Sequence, residues 1–219
     1  MSVRRDPYLT PRLRLIDELR SRGVADPRVL EAIGRTPREL FVPQALRGRA
    51  YEDVGLPIGH GQTISQPSTV ARMCELVAAP AGVKVLEIGS GSGYHAAVLA
   101  EMGWIVFSVE RDATLARSAA DRLRKLGYLQ VSIKHFDGTY GWAAHAPYRG
   151  VVVTAAAPEI PQALVRQLED GGRLVLPVAK RGGEQRLTVV VRRGSTLVET
   201  DHGPADFVPL VGKYAYPQP

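Results

Sequence analysis

One cysteine in 219 residues leaves Cys74 without a partner for an intramolecular disulfide and leaves a cysteine-based metal site short of ligands. Its setting, Met73-Cys74-Glu75-Leu76, reads as buried helix, and no metal is expected. No stretch approaches the roughly 18 consecutive apolar residues that a membrane helix requires. The opening Met1-Ser-Val-Arg-Arg-Asp-Pro7 lacks the apolar run of a signal peptide. The expectation is a cytoplasmic protein with no membrane partner. Aromatic residues are scarce, at 6%, and neither aromatic interleaving nor a nucleic-acid motif accompanies the basic charge, so no nucleic-acid partner is expected. The chain has no internal repeat and no low-complexity segment.

What is present fits an ordinary globular protein: 45% hydrophobic and 23% charged residues exclude a mainly disordered chain. The net charge of +6 is uneven, because residues 1–50 hold eleven Arg against six Asp or Glu. An acidic partner is one reading. The solvated faces of amphipathic helices are the other, and the missing motif favours it. The length suits one compact domain, with residues 1–66 expected to pack as N-terminal helices and a substrate loop on a core of residues 67–219. A monomer is expected.

Three helix-start signals follow one another: Thr10-Pro11, Asp26-Pro27 and Thr36-Pro37 each pair a capping oxygen with proline at the first helical position. Leu13, Ile16 and Leu19, then Val29, Leu30 and Ile33, recur at helical spacing, with Gly23 and Gly34 where C-terminal caps would fall. Residues 55–66, rich in glycine and polar side chains, suit neither helix nor strand and read as an ordered loop. A helix is predicted from Pro67 to Val77. Strand and helix then alternate: strand Val83–Ile88, helix Gly93–Met102, strand Trp104–Glu110, helix Ala113–Leu126, strands near Val131–Lys134 and Gly150–Thr154, and a helix near Pro161–Leu168. Strands at Arg173–Val178, Arg186–Arg192 and Thr196–Glu199 close the chain. Nearly continuous apolar strands between helices imply an α/β fold, doubly wound around a mostly parallel sheet, and the late strands suggest an antiparallel C-terminal edge.

The segment from Val83 to Tyr94 puts Glu87, Gly89, Ser90, Gly91 and Gly93 at the carboxyl end of the first core strand and the mouth of the next helix, where open α/β sheets bind ligands. Glycines there let backbone approach a ligand without a Cβ in the way. The Gly-x-Gly-x-Gly spacing omits the wider gap of the dinucleotide fingerprint, and no Gly-Lys-Ser/Thr follows for a triphosphate. Glu110 ends the second core strand seventeen residues after Gly93, placed to accept hydrogen bonds from both hydroxyls of a ribose, or to serve only as an acid at a helix N-terminus. Asp137-Gly138 ends the third and could meet an adenine edge, although Asp-Gly is also a common turn pair. The small residues of Thr154-Ala155-Ala156-Ala157-Pro158 would let substrate and cofactor approach the sheet, or simply close a packed strand end.

Leu56-Pro-Ile-Gly-His-Gly-Gln-Thr-Ile-Ser-Gln-Pro67, Val85-Leu-Glu-Ile-Gly-Ser-Gly-Ser-Gly-Tyr94, Val153-Thr-Ala-Ala-Ala-Pro158 and Phe207-Val-Pro-Leu210 together strongly resemble the protein-L-isoaspartate O-methyltransferases, over nearly the whole chain. The glycine segment is common to many class I methyltransferases. The Gly61-Gln62-Thr63-Ile64-Ser65-Gln66-Pro67 loop is specific to this family. The resemblance implies a seven-stranded Rossmann-like class I sheet and S-adenosylmethionine as donor, leaving S-adenosylhomocysteine. It further implies methyl transfer to the free carboxyl of isoaspartyl residues, or more weakly of D-aspartyl ones, in damaged proteins and peptides. Ser65 matches the family's active-site serine, and Glu110 its ribose-binding acid. One departure is Ala179, where the family often has glycine.

The residues suit that chemistry without the name. A carboxylate, with a reference pKa near 4, is ionised at neutral pH and needs no strong base. Orientation and removal of water would do the catalytic work, and the neutral hydroxyls of Thr63 and Ser65 can orient a carboxylate without quenching it. His60, Gln62, Ile64, Ala155 and Ala156 are the remaining candidates for substrate contact. His60, between two glycines, reads as a loop hydrogen-bonder more readily than as a base. Tyr94 and His95 fit either the methionine end of the cofactor or helix packing. Ser65 has a rival role as N-cap of the helix beginning at Pro67. Two other functions compete: a class I methyltransferase acting on RNA or a small molecule, or a non-catalytic binding module of the same fold. Against the former, no Asn/Asp-Pro-Pro-Tyr segment follows the fourth core strand, and against the latter the cofactor constellation is complete.

Overall fold

The structure, a computed structural model, describes residues 6–180 and 182–217. Residues 1–5, most of the opening segment read as lacking a leader, lie outside the described residues.

Helix α1 runs Leu9–Ser21 and α2 Pro27–Arg35. Asp26 caps α2 as expected, its side chain accepting from the Arg28 N–H. The other two start signals shift. Thr10-Pro11 falls inside the first turn of α1, because Asp6-Pro7 has already turned the chain: Asp6 Oδ1 accepts from the Tyr8 N–H at 2.9 Å. Thr36 ends α2 and turns its hydroxyl back to the Ala32 carbonyl at 2.8 Å, so the next element is only a 3₁₀ turn at Arg38–Leu40. Gly23, with φ of +93°, does follow the end of α1, but Gly34 lies within α2 facing Ile16. The buried stripe of α1 is Leu15 and Leu19, while Leu13 is exposed.

Residues 55–66 form a small antiparallel hairpin where a loop was expected. Strands β1 (Leu56–Gly59) and β2 (Gln62–Ile64) pair Leu56 with Ile64 and Pro57 with Thr63. His60 and Gly61, with φ of +54° and +68°, make a tip whose positive φ at both central residues matches the twist of a tight hairpin. Strands this short carry too little alternation to be read from sequence. Helix α3 spans Pro67–Val77, and its cap position is Gln66, not Ser65. No side chain caps it locally; Asp53 Oδ1 instead reaches in to accept from the Ser68 N–H at 2.8 Å.

Next come β3 (Lys84–Ile88), α4 (Tyr94–Glu101), β4 (Ile105–Glu110), α5 (Ala113–Lys125), β5 (Val131–His135) and β6 (Tyr148–Val153). Helix α6 is a single turn at Gln162–Val165, shorter than predicted, because β7 already begins at Leu168 and runs to Ala179. Strands β8 (Gln185–Arg193) and β9 (Thr196–Ala205) complete a seven-stranded sheet of order β5-β4-β3-β6-β7-β8-β9. Its first five strands are parallel, and β8 runs antiparallel to both β7 and β9, giving the expected antiparallel edge.

Both faces of the sheet are covered, and the two-residue strand period sorts side chains between two cores. Val85, Val106, Val152 and Val175 join one with residues of α1 to α4. Leu86, Val151, Leu174 and Leu176 join the other with Leu164 and Val165 of α6. The N-terminal helices therefore share a core with the sheet. No helix among the described residues is long and apolar enough to cross a membrane.

Candidate active site

Strand order reverses at β3, which pairs with β4 on one side and β6 on the other, and a cavity of about 460 Å³ opens beyond the carboxyl ends of these strands. This is the crevice where doubly wound sheets take their ligands.

The turn after β3 forms the floor, and two of its glycines are required for different reasons. At Gly89 (φ +96°) a Cβ would stand 2.3 Å from Thr154 Oγ1, whose hydroxyl donates to the carbonyls of Ile88 (3.0 Å) and Gly89 (2.8 Å). At Gly91 (φ +51°) a Cβ would point to the hairpin, 3.3 Å from Ile58 Cδ1. Gly93 caps α4 and packs against Ala119 and Leu123 away from the cavity. Glu110, at the end of β4, lines the cavity while Oε2 accepts from the Gly91 N–H at 2.8 Å and Oε1 from the Asp112 N–H at 2.9 Å. Its carboxylate ties the glycine turn to the start of α5.

Behind the turn lies a buried polar chain. Glu87 is wholly buried and does not line the cavity; it shares a short hydrogen bond with Ser108, whose Oγ is 2.5 Å from Ser90 Oγ. Burial raises the Glu87 carboxyl to about 8, against the pull of the Ser108 hydroxyl and with help from the charge of Glu110. Glu87 is thus largely a neutral acid at pH 7, supporting Ser90 from behind. His95 Nδ1 lies 3.8 Å from Glu87 Oε1 and Nε2 3.6 Å from Cys74 Sγ, and burial lowers this imidazole to about 4. A histidine neutral over the working range makes a poor cation here. Tyr94 and His95 nevertheless both line the cavity, and the Tyr94 ring has the Arg38 guanidinium 4.5 Å from its centroid and the Phe41 ring edge-on at 5.7 Å.

The hairpin roofs the cavity with His60, Gly61, Gln62, Thr63, Ile64 and Ser65. Gly138, Thr154 and Ala155 line its far side. Asp137 does not reach it: Oδ1 accepts from Thr139 N–H and Oγ1, and Oδ2 from the Lys213 N–H at 2.8 Å, so this carboxylate clasps the C-terminal segment. Ala156 is buried and exchanges backbone hydrogen bonds with that same segment, its N–H donating to Val208 O and its carbonyl accepting from Leu210 N–H, both at 2.8 Å. Val208 to Val211 consequently form a wall of the cavity, as does Arg111 beside Glu110. Neither was singled out as a site element from sequence; the only signal for the wall was the Phe207-Val-Pro-Leu210 motif.

The family model described as Protein-L-isoaspartate(D-aspartate) O-methyltransferase matches residues 11–215. The chain belongs to this family. A protein-L-isoaspartate O-methyltransferase of Pseudomonas fluorescens is 52% identical over 201 residues, covering 91% of this chain and 95% of its own. A solved protein-L-isoaspartate O-methyltransferase superposes with a TM-score of 0.85 at 31% identity, over 93% of this chain and 67% of that one. A second, from Plasmodium falciparum and in complex with S-adenosyl-L-homocysteine, has a TM-score of 0.77 at 22% identity, over 90% and 97%. Family membership makes the chain an S-adenosylmethionine-dependent carboxyl methyltransferase with the class I sheet.

If Glu110 holds the cofactor's ribose, as the resemblance implies, Glu110→Ala weakens S-adenosylmethionine binding by about 1.5–3 kcal/mol, the scale of charge-assisted hydrogen bonds, with a loosened glycine turn adding to the loss. An unchanged dissociation constant by calorimetry would remove Glu110 from the cofactor site.

Proposed function

We propose that this cleft transfers a methyl group from S-adenosylmethionine to the free carboxylate of an L-isoaspartyl residue, and less readily of a D-aspartyl one, in damaged proteins and peptides. The observation that carries the reading is the meeting, in one cavity, of Thr63 and Ser65 from the family-specific hairpin with the glycine turn and Glu110 of the cofactor constellation.

The residues fit the cofactor. The turn from Gly89 to Ser92 lines the cavity with backbone and small side chains, and Glu110, already held at the end of β4, has lone pairs left for a diol. When bound, S-adenosylmethionine supplies an electrophilic methyl on its sulfonium. Everything else falls to the chain. Thr63 and Ser65 orient the substrate carboxylate through neutral hydroxyls, Gln62 and Ile64 contact the flanking backbone, and Ala155 with Val208 to Leu210 excludes water. No step needs a base, since the carboxylate is already ionised. That agrees with the state of the histidines: His95 is buried against Glu87 and Cys74, and His60 Nδ1 is 3.1 Å from Asp112. Nor does any step need a metal. Ala156 and Asp137 act indirectly in this reading, by fixing the C-terminal wall. Residues 1–66 supply the substrate loop, residues 67–219 the cofactor site, and the enzyme works as a cytoplasmic monomer.

Paired peptides that differ only in aspartyl or isoaspartyl linkage test the assignment. Methyl should pass to the isoaspartyl peptide alone. The ester should be lost at alkaline pH with release of methanol, as the neighbouring amide nitrogen closes on the activated carbonyl to give a succinimide. A base-stable methyl group, or equal methylation of both peptides, would overturn the reading in favour of transfer to another acceptor.

A further inference from the structure

The hairpin that bears Thr63 and Ser65 is fixed over the cavity at two points. One is apolar: Ile58 of β1 rests on the space left by the missing Cβ of Gly91. The other is polar and lies at the tip, where His60 Nδ1 stands 3.1 Å from Asp112 Oδ2. His60 and Asp112 both line the cavity, and so do Glu110 and Arg111, which precede Asp112. The pair therefore bridges hairpin and α5 across the side of the cleft that holds the ribose acid.

Both partners are built for this contact. His60 occupies the left-handed region at the tip and reaches from there to Asp112 at the start of α5. Asp112 divides its oxygens: Oδ1 caps α5, accepting from the N–H groups of Thr114 (2.8 Å) and Leu115 (2.9 Å), and Oδ2 is left for His60. Those backbone bonds, with a smaller contribution from His60, hold the Asp112 carboxyl below its usual range, so it stays ionised. The side chains of His60 and Asp112 are 44% and 34% exposed, and contacts this exposed are weak enough to break and reform readily.

We infer that His60 and Asp112 are positioning residues: their contact is a clasp that holds the hairpin closed over bound cofactor and must open for S-adenosylhomocysteine to leave. The inference rests on the proposed use of this cleft for cofactor and isoaspartyl substrate. It assigns His60 to neither the substrate nor a proton.

The test compares dissociation of S-adenosylhomocysteine, followed by stopped flow, in the native protein and in two variants that spare the local fold. Asp112→Asn removes the charge but keeps the cap, since Asn caps helices as well as Asp. His60→Asn keeps the left-handed tip, which Asn tolerates. Each should speed dissociation about 2–5-fold, the range set by a surface ion pair, and raise KM for isoaspartyl peptide more than it lowers kcat. The double variant should be no faster than either single one, as expected for partners in one contact. As a second arm, His60→Cys with Asp112→Cys can be bridged by a short thiol-reactive linker, Cys74 being buried. Bridging should slow dissociation at least about 10-fold relative to the same variant unbridged. Unchanged rates in the single variants, additive effects in the double, or no slowing on bridging would overturn the clasp. Failure of the native protein to bind S-adenosylhomocysteine would instead overturn the reading of the cleft, so the two failures are distinct.

Discussion

Ser65→Asp is expected to fold, to bind S-adenosylmethionine, and to methylate isoaspartyl peptide at least about 100-fold more slowly, equivalent to about 2.7 kcal/mol in the barrier. Two roles compete for this serine in the sequence, and the structure separates them. As an N-cap, Ser65 would be replaced well by Asp, which caps equally and favours the helix dipole. But the cap position of α3 belongs to Gln66, and the Ser68 N–H is satisfied by Asp53. A change at Ser65 therefore leaves the start of α3 intact, and the variant should melt within a few degrees of the native protein. Ser65 instead lines the cavity, next along the hairpin from Ile64, with Thr63 beyond it. A carboxylate there would face the carboxylate of the substrate. Two such charges about 4 Å apart at an effective dielectric near 20 repel by about 4 kcal/mol, more than the predicted loss requires. Ser65→Thr keeps the hydroxyl and should retain measurable turnover. Near-normal kcat/KM in a folded Ser65→Asp variant would move the orienting role to Thr63.

The parallel core was legible because its strands are apolar runs between amphipathic helices, a pattern set by burial on both faces. Each predicted core strand from β3 to β9 is present, and the glycine turn, Glu110, Thr154 and the hairpin residues do converge on one cavity. What was not legible depends on contacts distant in sequence. Asp137 and Lys213 lie 76 residues apart, so nothing local says that the acid of an Asp-Gly pair is spent on a returning backbone. Ala156 similarly exchanges hydrogen bonds with Val208 and Leu210. The sequence groups Glu87 with the cofactor ligands of its segment, yet alternation along β3 turns it into the core, where it meets Ser108 and not the cavity. The hairpin was hidden for another reason: three- and four-residue strands around a left-handed tip leave a composition dominated by turn residues.

Glycine position decides the other large effect. Gly91→Val is expected to stay folded but to lose S-adenosylmethionine binding by at least about 100-fold, or about 2.7 kcal/mol. The backbone at Gly91 has φ of +51°, where a β-branched residue is strained by about 1–2 kcal/mol. In a protein of this size that lowers the melting temperature by only a few degrees. Its new Cβ meets just the end of the Ile58 side chain at 3.3 Å, which can turn aside. Gly91 itself lines the cavity, however, and its N–H is the one Glu110 holds, so added bulk and a strained φ at this residue disturb both the cofactor's wall and the Glu110 contact. Binding should therefore fall far more than stability. Gly89 gives the contrasting case. A Cβ there lies 2.3 Å from Thr154 Oγ1, a hydroxyl fixed by two carbonyls where β3 and β6 end side by side, so Gly89→Val should lose stability and binding together. Melting curves and calorimetry on the two variants read the difference. If Gly91→Val bound the cofactor normally, or melted as low as Gly89→Val, this glycine would be a structural residue of the turn and no part of the cofactor cradle.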